Sequence, residues 1–188
     1  WTYLYTAGSG DVTGAAVAVT GGDRAGNTVA SPTGVTSFTL DNTSPTVTVT
    51  SVASSSGTGW ARVGQTVTLR FTVSDAGSGP SASAPTVTLA GHAVTPDLDA
   101  GTWEASWTMQ AGDAEGLVAY QVVASDKAGN SQSTGTVNSA ITFDRTGPVA
   151  TLGGTEGGLP TDLYVRSGIP VTISAEFDET LAGTPSVS

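Results

Sequence analysis

Cysteine is absent from this 188-residue chain, and its lysine is confined to Lys127. Without thiols the chain forms neither disulfides nor thiolate metal sites. No apolar run approaches the roughly 20 residues that a membrane-spanning helix needs, and the sequence has no phosphate-binding glycine loop and no G-x-S-x-G nucleophile motif. His92 is the single histidine, and we expect it at the surface or on a strand edge. The sequence therefore predicts neither an enzyme nor a membrane segment.

The charge balance is strongly acidic. Sixteen acidic residues against six basic ones give a formal charge of −10. A phosphate backbone would be repelled by this charge, which argues against nucleic acid as a partner, whereas divalent cations would be attracted. Glycine, serine, threonine and valine are abundant, and β-branched residues dominate the apolar runs, which is typical of an all-β protein.

Four separated blocks of sequence recur. WTYLYTAGSGDVTG (1–14) aligns with WEASWTMQAGDAEG (103–116) at an offset of 102, and DRAGN (23–27) aligns with DKAGN (126–130) at an offset of 103. FTLDNTSP (38–45) matches ITFDRTGP (141–148) at an offset of 103, and VGQTVTLRFTV (63–73) resembles SGIPVTISAEF (167–177) at an offset of 104. The blocks predict a repeat of about 103 residues, the size of one β-sandwich domain.

The repeat divides the chain into three segments. Residues 46–148 form a complete unit, residues 1–45 the C-terminal part of a preceding unit, and residues 149–188 the N-terminal part of a following one. Because the chain opens on Trp1 without a methionine, we expect a segment upstream. The two end segments are complementary parts of one domain. We expect that they belong to a longer protein, and the alternative is that they pair between neighbouring molecules.

Short alternating runs in the complete unit predict strands. Val67, Leu69 and Phe71, for example, alternate with threonine and arginine, as a half-buried strand requires. Trp107 is expected to anchor the core. The seven predicted strands span 46–52, 66–73, 85–89, 92–94, 103–110, 118–124 and 138–144. Seven antiparallel strands in about 100 residues predict an immunoglobulin-like sandwich, so the fold class is all-β with tandem sandwiches of this kind.

The motifs also resemble a known group. G-x-W-x-x-x-W-T-M-x-A-G-D-A-x-G, S-D-K-A-G-N and F-D-R-T-G-P-V, in residues 101–149, resemble the bacterial immunoglobulin-like repeat domains of large surface adhesins and extracellular filament proteins. Residues 1–47 carry the same signature. The resemblance implies a secreted or cell-surface protein, bacterial in origin, whose domains act mostly as extension modules. It also implies that some members bind Ca²⁺ through loop aspartates near domain junctions.

Acidic residues are predicted to gather at the pole where the preceding domain joins. In an immunoglobulin-like sandwich the loops after the second, fourth and sixth strands share this pole with the incoming linker. These segments hold Asp41, Asp75, Asp97, Asp99, Asp126 and Asn130. Oxygen ligands from several loops are what Ca²⁺ requires, so we expect a calcium site, foremost at Asp41, Asp75 and Asp126. The next junction offers Asp144 and Glu179 in matching positions.

Alternatives stay open at this point. Aspartate and asparagine form turns without any metal, because their side chains bond nearby backbone amides. The chain is expected to be a structural or adhesive stalk segment whose partners are neighbouring repeats of the same chain. The alternatives are a module that binds a host-surface glycan or protein, including one accessory to an extracellular enzyme, and a filament subunit that contacts other copies.

Overall fold

The computed structural model describes residues 1–30, 33–156, 159–160 and 166–186. The regular elements of these residues are all β-strands, which confirms the all-β class. The strands are β1 (Val12–Ala16), β2 (Ser37–Leu40), β3 (Thr46–Ser54), β4 (Trp60–Ala61), β5 (Thr66–Ser74), β6 (Thr86–Leu89), β7 (His92–Val94), β8 (Asp97–Asp99), β9 (Thr102–Thr108), β10 (Gly116–Ser125), β11 (Ser131–Ser133), β12 (Val137–Phe143), β13 (Ala150–Glu156), β14 (Leu159–Pro160) and β15 (Val171–Phe177). None of the described residues forms a helix long and apolar enough to cross a membrane.

The seven strands predicted for the complete unit correspond to β3, β5, β6, β7, β9, β10 and β12. Between them the structure adds the short strands β4, β8 and β11, which the sequence pattern did not predict. Strands β8 and β11 are exposed over their full length. A strand of three exposed residues is too short to show the alternation that predicts longer strands.

Two sheets are built from residues 46–144. One has the antiparallel order β3-β5-β9-β8. The other has the order β4-β12-β10-β6-β7, with β11 paired to β10, and within it β4 runs parallel to β12. We refer to these two sheets together as the two-sheet body (residues 46–144).

A single hydrophobic core draws on both sheets. Val67, Leu69 and Phe71 of β5 are fully buried, because alternate side chains of a strand point to one face. They share the core with Val122 of β10 and Phe143 of β12. Trp107 packs against this cluster while remaining partly buried, so it borders the core rather than filling its centre. The result is the layered arrangement of a β-sandwich.

The chain divides into two compact units, Trp1–Asp144 and Arg145–Ser188. In addition to the two-sheet body, the first unit holds the antiparallel pair β1-β2, whose register is irregular between Val12 and Ala15. The second unit holds a sheet of order β14-β13-β15, in which Ala150 pairs with Phe177. The division of the sequence into three repeat segments stays a prediction.

Candidate metal centre

Asp41 lies directly after β2, in the segment that joins β2 to β3, and only 6% of its surface is exposed. Its Oδ1 accepts the Thr43 N–H at 3.1 Å, and its Oδ2 accepts the Ser78 N–H at 2.7 Å. Its main-chain oxygen accepts a hydrogen bond from Asn130 Nδ2 at 3.0 Å. Because Ser78 and Asn130 lie in the β5–β6 and β10–β11 loops, the joining segment is tied to two loops of the two-sheet body.

The hydrogen bonds from Ser78 also favour the ionised form of Asp41. Hydrogen bonds from Ser78, through its side chain first and its amide second, hold the pKa of Asp41 below its usual value of 3.8. They outweigh the burial of the carboxyl group, which works to raise the pKa. The joining segment therefore brings a negative charge to a buried position at neutral pH.

Asp75 follows β5 and folds the start of the β5–β6 loop around its carboxylate. Its Oδ2 accepts the amides of Gly77 at 3.1 Å and Gly79 at 2.7 Å. Its Oδ1 is buried and has no hydrogen-bond partner among the described residues. A buried acceptor without a partner costs about 1–3 kcal/mol, so this oxygen is a position where a bound cation would stabilise the fold.

Asp126 follows β10 and is 3% exposed. Its Oδ1 accepts the amides of Gly129 at 2.7 Å and Asn130 at 2.8 Å, while its Oδ2 accepts Asn130 Nδ2 at 2.7 Å. Asp126 and Asn130 thus close one turn from both ends, and Gly129 supplies its left-handed conformation, with φ of 97°. Asp126 therefore forms a turn, which is the role that aspartate can take without any metal.

The three carboxylates form one group. An oxygen from each of Asp41, Asp75 and Asp126 lies within 4.8 Å of the others. Two oxygens bound to one Ca²⁺ at about 2.3–2.6 Å are at most about 5.2 Å apart, so the spacing fits a shared calcium ion. Among the described residues no ion pair involves any of the three. Their mutual repulsion therefore also favours a cation.

Four other predicted ligands do not belong to this group. Asp97 and Asp99 were expected in a loop at the same pole, but they lie exposed in β8, paired with β9. A hairpin turn at Ala100 and Gly101 pairs this segment with β9, so Asp97 and Asp99 lie on a strand and not in a loop. Asp144 is in the first compact unit and Glu179 in the second, and the equivalent site that was predicted for them stays a prediction.

The structure also contains a second polar cluster, which the sequence pattern did not predict. His92 lies on β7, at the edge of its sheet as expected, but its ring stacks on Trp107 with centroids 3.9 Å apart. Its Nε2 is 2.8 Å from Asp113 Oδ1, while Asp113 Oδ2 accepts Trp107 Nε1 at 2.9 Å and the Gln110 amide at 2.8 Å. In the sequence repeat Asp113 aligns with Asp11, and this recurrence was the signal that could have marked Asp113 as important.

Burial of Asp113, which is 6% exposed, works to raise the pKa of its carboxyl group. The hydrogen bonds from Gln110, Trp107 and His92 outweigh that effect, and the pKa is lowered below 3.8. Asp113 is therefore ionised, and its carboxylate accepts hydrogen bonds from the Gln110 amide and the Trp107 side chain and pairs with His92. These contacts link β7 and β9 to the β9–β10 loop, which holds Asp113.

We compared the chain with known proteins. No protein-family model matches it, and no curated protein matches its sequence.

Proposed function

We propose that this chain is a structural stalk segment of a repetitive bacterial cell-surface or secreted protein, which spaces a distal binding region from the cell. The observation that carries the proposal is the position of Asp41. This residue belongs to the segment between two predicted repeats, yet it is buried and bonded to two loops of the following body. A junction held in this way resists bending, which a spacer requires and an isolated binding module does not. No catalytic role is part of the proposal.

The strand order supports immunoglobulin-like domains. In constant-type immunoglobulin domains the first, second, fifth and fourth strands form one sheet, and the third, sixth and seventh form the other. The order β3-β5-β9-β8 corresponds to the first sheet. The path β12-β10-β6 corresponds to the second, with β7 as an additional strand at its edge.

Local geometry supports a tandem arrangement. Asp23 accepts the Asn27 amide at 2.8 Å and Asn27 Nδ2 at 2.7 Å, as Asp126 does with Asn130. In β3–β5 Val47 pairs with Val73, and in β13–β15 Ala150 pairs with Phe177, so the offsets are 103 and 104 residues, as in the sequence alignment. Segments that match in sequence therefore also match in hydrogen bonding.

Calcium would act as a clamp at the junction. Asp41 comes from the joining segment, while Asp75 and Asp126 come from separate loops of the two-sheet body. A cation bound to all three would crosslink three segments that are distant in sequence. The buried Oδ1 of Asp75 supports this role, because it lacks a donor among the described residues. Backbone carbonyls and water would complete the six to eight oxygens that Ca²⁺ takes.

The proposal is tested by following thermal unfolding and amide hydrogen exchange of the chain in Ca²⁺, in Mg²⁺ and in a chelator. At a Ca²⁺ concentration of 100 times Kd we expect a stabilisation of about 2.7 kcal/mol over the chelated protein. The amides of Asn42 and Thr43 in the joining segment should exchange more slowly with Ca²⁺. Mg²⁺ should give a smaller effect, since it demands a tighter octahedral site.

Asp41→Asn serves as the site variant and Asp97→Asn as its matched control, because Asp97 is exposed and lies outside the carboxylate group. The first substitution should abolish the slowing of exchange by Ca²⁺, and the second should leave it intact. Equal melting temperatures and equal exchange with and without Ca²⁺ would refute the calcium clamp. Rapid exchange of the Asn42 and Thr43 amides under all conditions would refute the stiff junction itself.

A further inference from the structure

Trp60 is held on a strand while its side chain stays exposed. It lies on β4, which runs parallel to β12 with Trp60 opposite Thr142. The Ser56 hydroxyl donates to the Trp60 carbonyl at 2.6 Å, and the Trp60 amide donates to Thr58 Oγ1 at 3.2 Å. Yet Trp60 is 58% exposed, and its indole N–H donates to no described residue. An aromatic side chain on an ordered backbone loses little freedom when it binds a partner, so this position suits a contact site.

The sheet surface beside Trp60 consists of uncharged side chains. Leu117 of β10 pairs with Thr142, so Trp60, Thr142 and Leu117 lie in one row across three strands. Leu117 is 55% exposed. Alternation along the strands places further uncharged residues on the same face. These are Ala119, Gln121 and Val123 of β10, Asn138 and Ala140 of β12, and Thr86 and Thr88 of β6. We call this surface the neutral face (residues 60, 86, 88, 117, 119, 121, 123, 138, 140 and 142).

The charge of the neutral face restricts its partner. The whole chain has a formal charge of −10, yet no side chain of this face is acidic or basic. An anionic polymer finds no cation on the face and is repelled by the chain as a whole. A cationic partner finds no carboxylate there. Charge therefore favours an uncharged ligand.

An aromatic side chain among hydroxyl and amide groups fits a sugar. One side of a pyranose ring presents C–H groups, which are attracted to the negative face of an indole ring. The hydroxyl groups of the sugar need hydrogen-bond partners, which Thr142 and Asn138 supply together with the indole N–H of Trp60. Along β10, the distance from Leu117 to Gln121 is about 13 Å at the usual rise per residue. The face is therefore longer than one sugar ring and has room for a chain of sugars.

An aromatic residue recurs at this position in the sequence. Residues 63–73 align with residues 167–177 at an offset of 104, and the same offset pairs Trp60 with Tyr164. Tyr164 lies outside the described residues. A polymer of identical units binds such positions on successive repeats at once, and linked weak contacts then give high avidity. The recurrence therefore favours a polysaccharide over a single sugar.

We propose that the neutral face binds an uncharged polysaccharide, with one sugar ring stacked on Trp60 and neighbouring rings extending across β12 and β10. The loops of a sandwich lie at its two poles, where tandem repeats are joined, so the sheet faces stay open to a ligand. The site adds a binding role to the proposed stalk, and it depends neither on the calcium clamp nor on the stiffness of the junction.

Native affinity electrophoresis tests the proposal, because a polysaccharide cast into the gel retards only a chain that binds it. The probes are dextran and hydroxyethyl cellulose as neutral polymers and alginate as an anionic one, all in chelator. We expect retardation by at least one neutral polymer and none by alginate. Trp60→Ala should raise the apparent Kd at least about tenfold, since large aromatic contacts dominate binding. Retardation by neither neutral polymer, or equal retardation by alginate, would overturn the proposal.

Trp1→Ala is the matched control, because Trp1 is also an exposed tryptophan but lies outside the neutral face. It should bind like the unmodified chain. Leu117→Asp introduces a charge into the neutral face at an exposed position, so it should also weaken binding at least about tenfold. Melting temperatures in chelator check that each variant folds.

Unchanged binding by Trp60→Ala or by a folded Leu117→Asp would contradict the proposal, and so would an equal loss in Trp1→Ala. A dimer of the unmodified chain that dissociates in Trp60→Ala would mean that the face pairs with a second copy instead. Light scattering detects such a dimer. Since every sample contains chelator, failure here leaves the calcium clamp untouched.

Discussion

Gly77 packs against the carboxylate of Asp41 so closely that a Cβ atom at position 77 would lie 2.5 Å from Asp41 Cγ. Both carboxylate oxygens would be 2.6 Å away. Contacts this short do not occur, so a side chain at position 77 must displace Asp41. The absence of a side chain at Gly77 is what allows the joining segment and the β5–β6 loop to share one buried position.

We therefore predict that Gly77→Ala displaces Asp41 from the carboxylate group. Steric overlap in a packed site costs about 1–3 kcal/mol, so the chelated protein should unfold at lower denaturant concentration. The stabilisation by Ca²⁺ should be lost as well. Gly112→Ala is the control, since a Cβ there meets nothing within 4 Å and the backbone conformation is ordinary. Denaturant titrations of both variants, with and without Ca²⁺, check the result, and a normal Ca²⁺ response in Gly77→Ala would contradict it.

Asp75→Asn separates metal binding from folding. The amide oxygen of asparagine can still accept the bonds from Gly77 and Gly79, while one of three crowded charges disappears. In chelator we expect a melting temperature equal to or above that of the unmodified chain. Affinity for Ca²⁺ should fall at least about tenfold, since ligand charge sets affinity. Calorimetric titration measures this, and an unchanged Kd would remove Asp75 from the site.

Much of the fold could be predicted because its strands alternate. The buried set on β5 follows directly from alternation at Val67, Leu69 and Phe71. Both strands of the hairpin at 89–92 were predicted, whereas the hairpin at 99–102 was missed. Both turns are Ala-Gly rather than Asn-Gly, which is a weaker hairpin signal. Two-residue hairpins favour a turn with positive φ at both central residues, and Ala90 and Ala100 adopt it at φ of 53° and 46°.

The grouping of the three aspartates could be predicted from the sequence, because the order of the strands decides which loops lie at the same pole of a sandwich. That reasoning correctly grouped Asp41, Asp75 and Asp126. It could not reveal that Asp75 Oδ1 lacks a donor or that Gly77 makes room for Asp41, since both depend on atomic packing. The network around Asp113 was missed for the same reason. It joins residues on different strands, and nothing in the local sequence of His92 marks that contact.

The lowered pKa of Asp113 predicts a specific pH dependence. Its pKa is lower in the folded than in the unfolded chain, so near pH 3.8 the unfolded state binds more protons and stability rises with pH. The contribution is complete well above pH 3.8 and is lost as the pH falls through the lower folded-state pKa. Urea titrations in chelator, at a series of pH values from about 2 to 6, should show a weaker dependence for Asp113→Asn. Asp97→Asn is the exposed control, and identical slopes in the two variants would argue against the network.

The backbone at Ala100 offers a test of the β8–β9 hairpin. An L-residue other than glycine, asparagine or aspartate in the left-handed region costs about 1–2 kcal/mol, and Ala100 is exposed with φ of 46°. Asparagine tolerates this conformation better and favours the two-residue turn. We expect Ala100→Asn to stabilise the chain by about 0.5–1 kcal/mol. Ala100→Val should destabilise it, because a β-branched side chain fits this region worst. Denaturation midpoints that shift in the same direction for both variants would mean that the turn at 100–101 has another conformation.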